Sequence, residues 1–162
     1  MSNYIGALDL GTTSNRFILF DHQGQIAGMD QMEHEQIFPK PGWVEHDPME
    51  IWDNSRRVIK GAMGKIGITG RDIVAIGITN QRETALLWDR RTGEPLNNAI
   101  VWQCRRTTDF CEHLKAAGFE QAIRRKTGLV IDPYFSASKF RWLLRNTRGI
   151  GRKLRAGHVA GG

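Results

Sequence analysis

An α/β fold is the expectation for this chain: an antiparallel three-strand meander, extended by a parallel strand and covered by packed helices. Three observations predict it. Residues 4–20, YIGALDLGTTSNRFILF, set a small hydroxyl-rich turn between two apolar runs, the pattern of a hairpin; Asp21-His22-Gln23-Gly24 then turns into a third run, Gln25 to Met32. Asp47, Pro48 and Glu50 form a capping-box signature ahead of apolar residues at helical spacing: Ile51, Trp52, Val58, Ile59, Ala62 and Ile66. Ile73 to Thr79 is a continuous apolar run, the pattern of a strand buried on both faces beside a parallel neighbour.

Composition bounds the rest. The 162 residues, 40% of them hydrophobic, suffice for the core of one domain. No apolar run reaches membrane-spanning length, and the N-terminus lacks a basic region followed by an apolar stretch, so a cytoplasmic protein without a membrane partner is expected. Cys104 and Cys111 lack the spacing of a zinc site or a disulfide framework and read as free thiols. The net charge of +6 is uneven: Arg105 to Arg155 holds 13 Lys and Arg against 4 Asp and Glu, whereas residues 1–104 hold 10 against 13. No interleaved aromatics or reading module accompany that basic third, so solvated helical faces rather than a nucleic-acid partner are expected.

In chain order, Glu33 to His46 carries two prolines and little periodicity and reads as an irregular surface excursion, with His22, His34 and His46 as surface histidines. Gly61, Gly64, Gly67 and Gly70 imply a helix that frays as it ends. Thr84 to Trp88 and Asn98 to Trp102 flank a turn-rich link and are expected to pair as antiparallel strands. Thr107 to Ala117 and Phe119 to Lys126 read as helices stopped by Gly118 and Gly128. A loop over Leu129 to Phe135 is pinned by Pro133, and Ser136 is expected to cap a helix bearing Phe140, Leu143 and Leu144. From Arg145 the chain is basic, rich in glycine and nearly free of core residues, and His158 to Gly162 do not read as a strand.

Two clusters carry chemistry. At the first hairpin, Gly11 lets the backbone approach a ligand closely, and exposed amides with the hydroxyls of Thr12, Thr13 and Ser14 suit phosphate oxygens. Asp9 can hold magnesium against those phosphates, and Arg16 adds a cation. The same residues also satisfy a tight turn locally. At the carboxyl end of the Ile73–Thr79 run, Asn80, Gln81, Arg82 and Glu83 emerge where open α/β sheets bind ligands. Arg82 beside Glu83 offers the donors and acceptors that a small polyol requires, or a structural pair capping the strand. Trp102 can wall a pocket or pack in the core, and the Tyr134 hydroxyl can meet substrate or pack.

The run Asp9-Leu10-Gly11-Thr12-Thr13-Ser14-Asn15-Arg16 resembles the first phosphate loop of the FGGY carbohydrate kinases, in the actin-like ATPase superfamily with its ribonuclease H-like fold. Residues 39–48 (PKPGWVEHDP), 77–84 (GITNQRET), 98–107 (NAIVWQCRRT) and 127–136 (TGLVIDPYFS) are similar to the glycerol-phosphorylating branch. The resemblance covers residues 4 to about 144. It implies a partial kinase N-terminal domain over 1–145, a basic Gly-rich tail over 146–162 that is truncated or degenerate, and a fold incomplete at its C-terminus. It implies ATP and Mg2+ as cofactors and glycerol as substrate, with Thr12, Thr13, Ser14 and Arg16 on the nucleotide phosphates and Asp9 near the metal. Arg82, Glu83 and Tyr134 would hydrogen-bond glycerol, and Trp102 would pack on its carbons. Leu10 stands where the loop is expected to be polar. The catalytic base falls in a part of the family that this chain does not match, so the isolated chain is expected to be inactive. For the intact family member, homo-oligomerisation is left open. A non-catalytic phosphate-binding domain, or a kinase for another small polyol or sugar, is the alternative.

Overall fold

The computed structural model describes residues 3–162. In chain order the elements are β1 (Tyr4–Leu10), β2 (Ser14–Phe20), β3 (Ile26–Glu33), β4 (Glu45–His46), α1 (Pro48–Ile66), β5 (Ile73–Thr79), β6 (Leu87–Asp89) and β7 (Ala99–Ile100). Then come α2 (Thr108–Ala116), α3 (Glu120–Thr127), α4 (Ser136–Asn146), α5 (Ile150–Arg155) and β8 (Val159–Gly161). The chain divides into two compact units, each with its own core. The first holds the described residues up to Gln36 together with Asp47–Gln81; the second holds Ile37–His46 with Arg82–Gly162.

In the first unit the expected meander is present: β1, β2 and β3 are antiparallel, β5 lies parallel to β1, and the sheet order is β3-β2-β1-β5. Strand alternation sends Leu8, Phe17 and Leu19 to one face, where they pack on Val58 and Ala62 of α1. Burying side chains of this size stabilises by about 1.5–3 kcal/mol each. Asn15, buried on the same face, donates to the Ile51 carbonyl at 2.6 Å and to Ser55 Oγ at 2.9 Å, which fixes α1 across β2.

The helix corrects three expectations. Asp47 caps it by accepting from the Met49 amide at 2.8 Å, but the reciprocal half of the capping box is not made, because the Glu50 carboxylate accepts from the Glu35 amide at 3.0 Å. Trp52 lies on the solvent side, not on the packed face. The glycines do not fray the helix. It runs unbroken to Ile66, Gly61 sits against the Asp30 side chain of β3 where a Cβ would collide, and Gly67 closes the last turn in the left-handed region at φ 68°.

β5 is not buried on both faces. It is the sheet edge, bonded to β1 alone, and Val74, Ile76 and Ile78 are 60%, 48% and 68% exposed. A continuous apolar run shows that a strand needs cover; it does not show whether a neighbour supplies it.

In the second unit, β4 pairs with β7 and β6 with β8. The expected pairing of Thr84 to Trp88 with Asn98 to Trp102 shrinks to one bridge, Ala85 with Ile100, because the link folds Trp88 back on Pro95 and β6 takes β8 as its partner. Ala85, Leu87, Ile100, Cys104, Leu143 and Ile150 form the core, with Trp43 and Trp142 against it. Arg106 stacks on both of those tryptophans, 4.0 and 4.7 Å from the ring centroids, and pairs with Glu45 at 2.7 Å. The excursion before α1 therefore contributes to a core, and His34 and His46 are buried rather than at the surface.

The last segment is likewise ordered into structure. Ile150 is buried, α5 follows, and β8 pairs Val159 with Asp89 and Gly161 with Leu87. Lys153 binds the buried Asp89 carboxylate at 2.6 Å and, with the Arg91 amide, holds its pKa down to about 2. Neither the strand nor Ile150's core role was expected. Short strands completed by a partner some seventy positions away have no local signature.

Candidate functional site

The β1–β2 tip of the first unit is organised through its carbonyls. Gly11 O accepts from Gln81 Nε2 at 2.9 Å, Thr12 O from Gln36 Nε2 at 3.0 Å and also contacts His34 Nε2 at 3.0 Å. Thr13 O accepts from the His34 amide at 3.2 Å, and Ser14 O from the Gly11 amide at 3.0 Å. With no cis peptide among the described residues, a carbonyl tied in one direction sends the next residue's N–H the opposite way. The tip thus directs successive amides away from its anchors, the arrangement that suits an anion.

Asp9, Arg16, Gln31 and Thr79 form one row across the sheet, since Asp9 is paired with Arg16 and Thr79, and Arg16 with Gln31. Alternation puts that row on the face opposite α1. Arg16 Nε donates to Gln31 Oε1 at 2.9 Å, and Gln31 Nε2 donates to Ser14 Oγ at 3.1 Å, so the cation and hydroxyl are held by one amide. Leu10 points the other way and packs on the core, so its apolar side chain does not interrupt the polar face. Asp9 supplies a single carboxylate, and no cluster of three or more metal-ligating side chains occurs among the described residues. One carboxylate plus substrate phosphates is a usual magnesium arrangement, so the residues present fit that ion.

The end of β5 reaches the same tip: Asn80 and Gln81 follow Thr79, and Gln81 holds Gly11. Arg82 and Glu83 belong to the second unit. There Glu83 sits at φ 64°, a positive angle unusual for a residue with a side chain, and its Oε2 accepts from both the amide and the hydroxyl of Ser136 at 2.7 Å. The cap of α4 is therefore this carboxylate, not Ser136 as expected; Ser136 is the first helical residue. Tyr134 packs its ring edgewise on Trp102 (5.8 Å) and on Phe135 (5.1 Å), and its amide donates to Asp132 at 2.8 Å. Arg82 is exposed beside Glu83.

Beneath Tyr134 lies a group that sequence reasoning passed over. Lys139 is fully buried and donates to the Tyr134 carbonyl. Burial pushes its pKa down to about 8, against the pull of Glu83. A lysine among the apolar positions Phe140 and Leu143 was the available signal. For Gln31, His34 and Gln36, which hold the β1–β2 tip, the sequence offered none.

Residues 4–159 match the FGGY family of carbohydrate kinases, N-terminal domain. The chain belongs to the FGGY family of carbohydrate kinases. The glycerol kinase of Burkholderia pseudomallei is 58% identical over 159 residues, 98% of this chain and 32% of that protein. The crystal structure of Plasmodium falciparum glycerol kinase with ADP superposes with a TM-score of 0.91 at 36% identity, over 99% of this chain and 32% of that one. A gluconate kinase from Lactobacillus acidophilus follows at a TM-score of 0.83 and 29% identity, over 93% of this chain and 30% of that one. The actin-like FGGY fold is thus shared, and the chain spans about a third of the length of the curated relatives it matches. No helix among the described residues is long and apolar enough to cross a membrane.

Proposed function

We propose that this chain serves the ATP-dependent phosphorylation of glycerol to glycerol 3-phosphate, as the amino-terminal part of a cytoplasmic FGGY kinase. The observation that carries this reading is the 58% identity with a glycerol kinase over nearly the whole chain, well above the 29% shared with the gluconate kinase. In this reading ATP supplies the phosphoryl group and magnesium the charge that offsets it. The amides and hydroxyls of Thr12, Thr13 and Ser14, with Arg16, bind the phosphates, and Asp9 holds the metal. Arg82, Glu83 and Tyr134 bind the glycerol hydroxyls while Trp102 covers its carbons.

The geometry supports separate roles. Glu83 is oriented by two hydrogen bonds from Ser136, so its remaining acceptor positions are fixed, and the exposed Arg82 can donate beside it. Neither Glu83 nor Asp132 is a ready proton acceptor, since Asp132 is engaged by Arg105 at 3.3 Å and by the Tyr134 amide. The base that receives the glycerol proton is assigned to no residue of this chain.

The test uses a full-length protein carrying these residues, assayed with glycerol, xylulose and gluconate. Glycerol is the expected substrate. Arg82→Ala should lower kcat/KM for glycerol about ten- to hundredfold, the loss of a charge-assisted hydrogen bond, and leave the KM for ATP nearly unchanged. A preference for gluconate or xylulose, or an effect confined to ATP, would overturn the assignment.

A further inference from the structure

In the second unit a cavity of about 340 Å³ opens between α2, α3, the 129–135 loop and α4. None of Arg82, Glu83, Trp102 and Tyr134 lines it. Its size falls within the range of small-molecule sites, and its walls are apolar: Leu114, Ile123, Leu129, Val130, Ile131 and Phe135. Leu129 and Val130 remain 43% and 50% exposed, so the pocket presents apolar surface to water that a ligand would cover.

Charge gives the pocket a direction. Arg141 lines it, with its guanidinium 3.7 Å from the centroid of the Phe110 ring and no carboxylate partner among the described residues. The lining's one carboxylate, Asp132, is already met by Arg105 at 3.3 Å and the Tyr134 amide at 2.8 Å. The floor is closed by the buried Cys111 and by Ser138, whose hydroxyl bonds Thr107 at 2.8 Å. An apolar slot with one unneutralised guanidinium selects a ligand with an aliphatic body and a single anionic end.

We propose that this cavity binds a medium-chain aliphatic carboxylate, of about eight carbons, with the chain among Leu114, Ile123, Leu129 and Ile131 and the carboxylate at Arg141. The volume admits one such chain but not a helix. This site stands independently of the phosphoryl-transfer reading.

Calorimetric titration of the 162-residue chain with octanoate, 1-octanol and butyrate tests it. Octanoate should bind saturably at one site, octanol about tenfold more weakly for want of the charge, and butyrate not measurably. Ala137→Trp, which fills the pocket, should abolish octanoate binding. Arg141→Gln should reduce octanoate to the octanol level and leave octanol unchanged, a result that stands even if the tryptophan variant misfolds. No saturable octanoate binding, octanoate binding that survives Ala137→Trp in a folded protein, or equal loss of octanoate and octanol in Arg141→Gln would overturn the proposal.

Discussion

Lys139 shows how costly one buried residue can be to a fold. Its ammonium is buried, with a pKa lowered from 10.5 to about 8 chiefly by desolvation. Between those two values the unfolded chain holds a proton that the folded chain has released, so the contribution of Lys139 to stability rises with pH across that window. Denaturant unfolding at pH 8 and pH 10 should show this rise in the wild type and a smaller one in Lys139→Met. Its burial was invisible in the sequence because a lysine on a helix usually snorkels to water. Here it is held under Tyr134 by that residue's carbonyl. Glu83 was visible, from its place after an apolar run, but its positive φ and its bonds to Ser136 were not, since they depend on a helix that begins 53 positions later.

At the level of elements, local chemistry marked the boundaries well where it was sufficient. The Gly11 tip, the Asp47 cap with Pro48, and Gly118 and Gly128 as helix stops all stand where turn and capping rules put them. Elements whose existence depends on a distant partner were missed: β4 and β8 are two and three residues long and exist through β7 and β6. The polar stack of Arg106 between Trp43 and Trp142 belongs to the same class, joining the excursion before α1 to the turn before α2 and to α4. Its side chain is 1% exposed and its partner Glu45 15%. Arg106→Ala leaves Glu45 only its bond from Asn98 Nδ2 at 3.0 Å, removes its charge partner and empties the space between two indoles, and should destabilise the second unit by about 3 kcal/mol in denaturant unfolding. A change below about 1 kcal/mol would mean that the pair contributes no more than a surface ion pair.

For the whole molecule, the sheet edge and the two chemical clusters matter most. β5 presents unpaired backbone and the exposed side chains of Val74, Ile76 and Ile78, a surface prone to associate with other chains. Ile78→Lys should raise the soluble fraction and lower light scattering at equal concentration, with unfolding stability little changed. The fold class was legible because the meander and its parallel neighbour follow from alternation and turn chemistry. The edge character of β5 was not, because it depends on what lies beside the strand. In the proposed function, residues 9–16 bind nucleotide phosphates and Arg82, Glu83, Trp102 and Tyr134 bind glycerol. Amide NMR of the 162-residue chain, titrated separately with Mg·ATP and with glycerol, tests it residue by residue. Mg·ATP should shift the amides of Gly11, Thr12, Thr13 and Ser14, and glycerol those of Arg82, Glu83, Trp102 and Tyr134. Saturating Mg·ATP that leaves Gly11 to Ser14 unmoved, or glycerol that perturbs only residues outside its set, would contradict it.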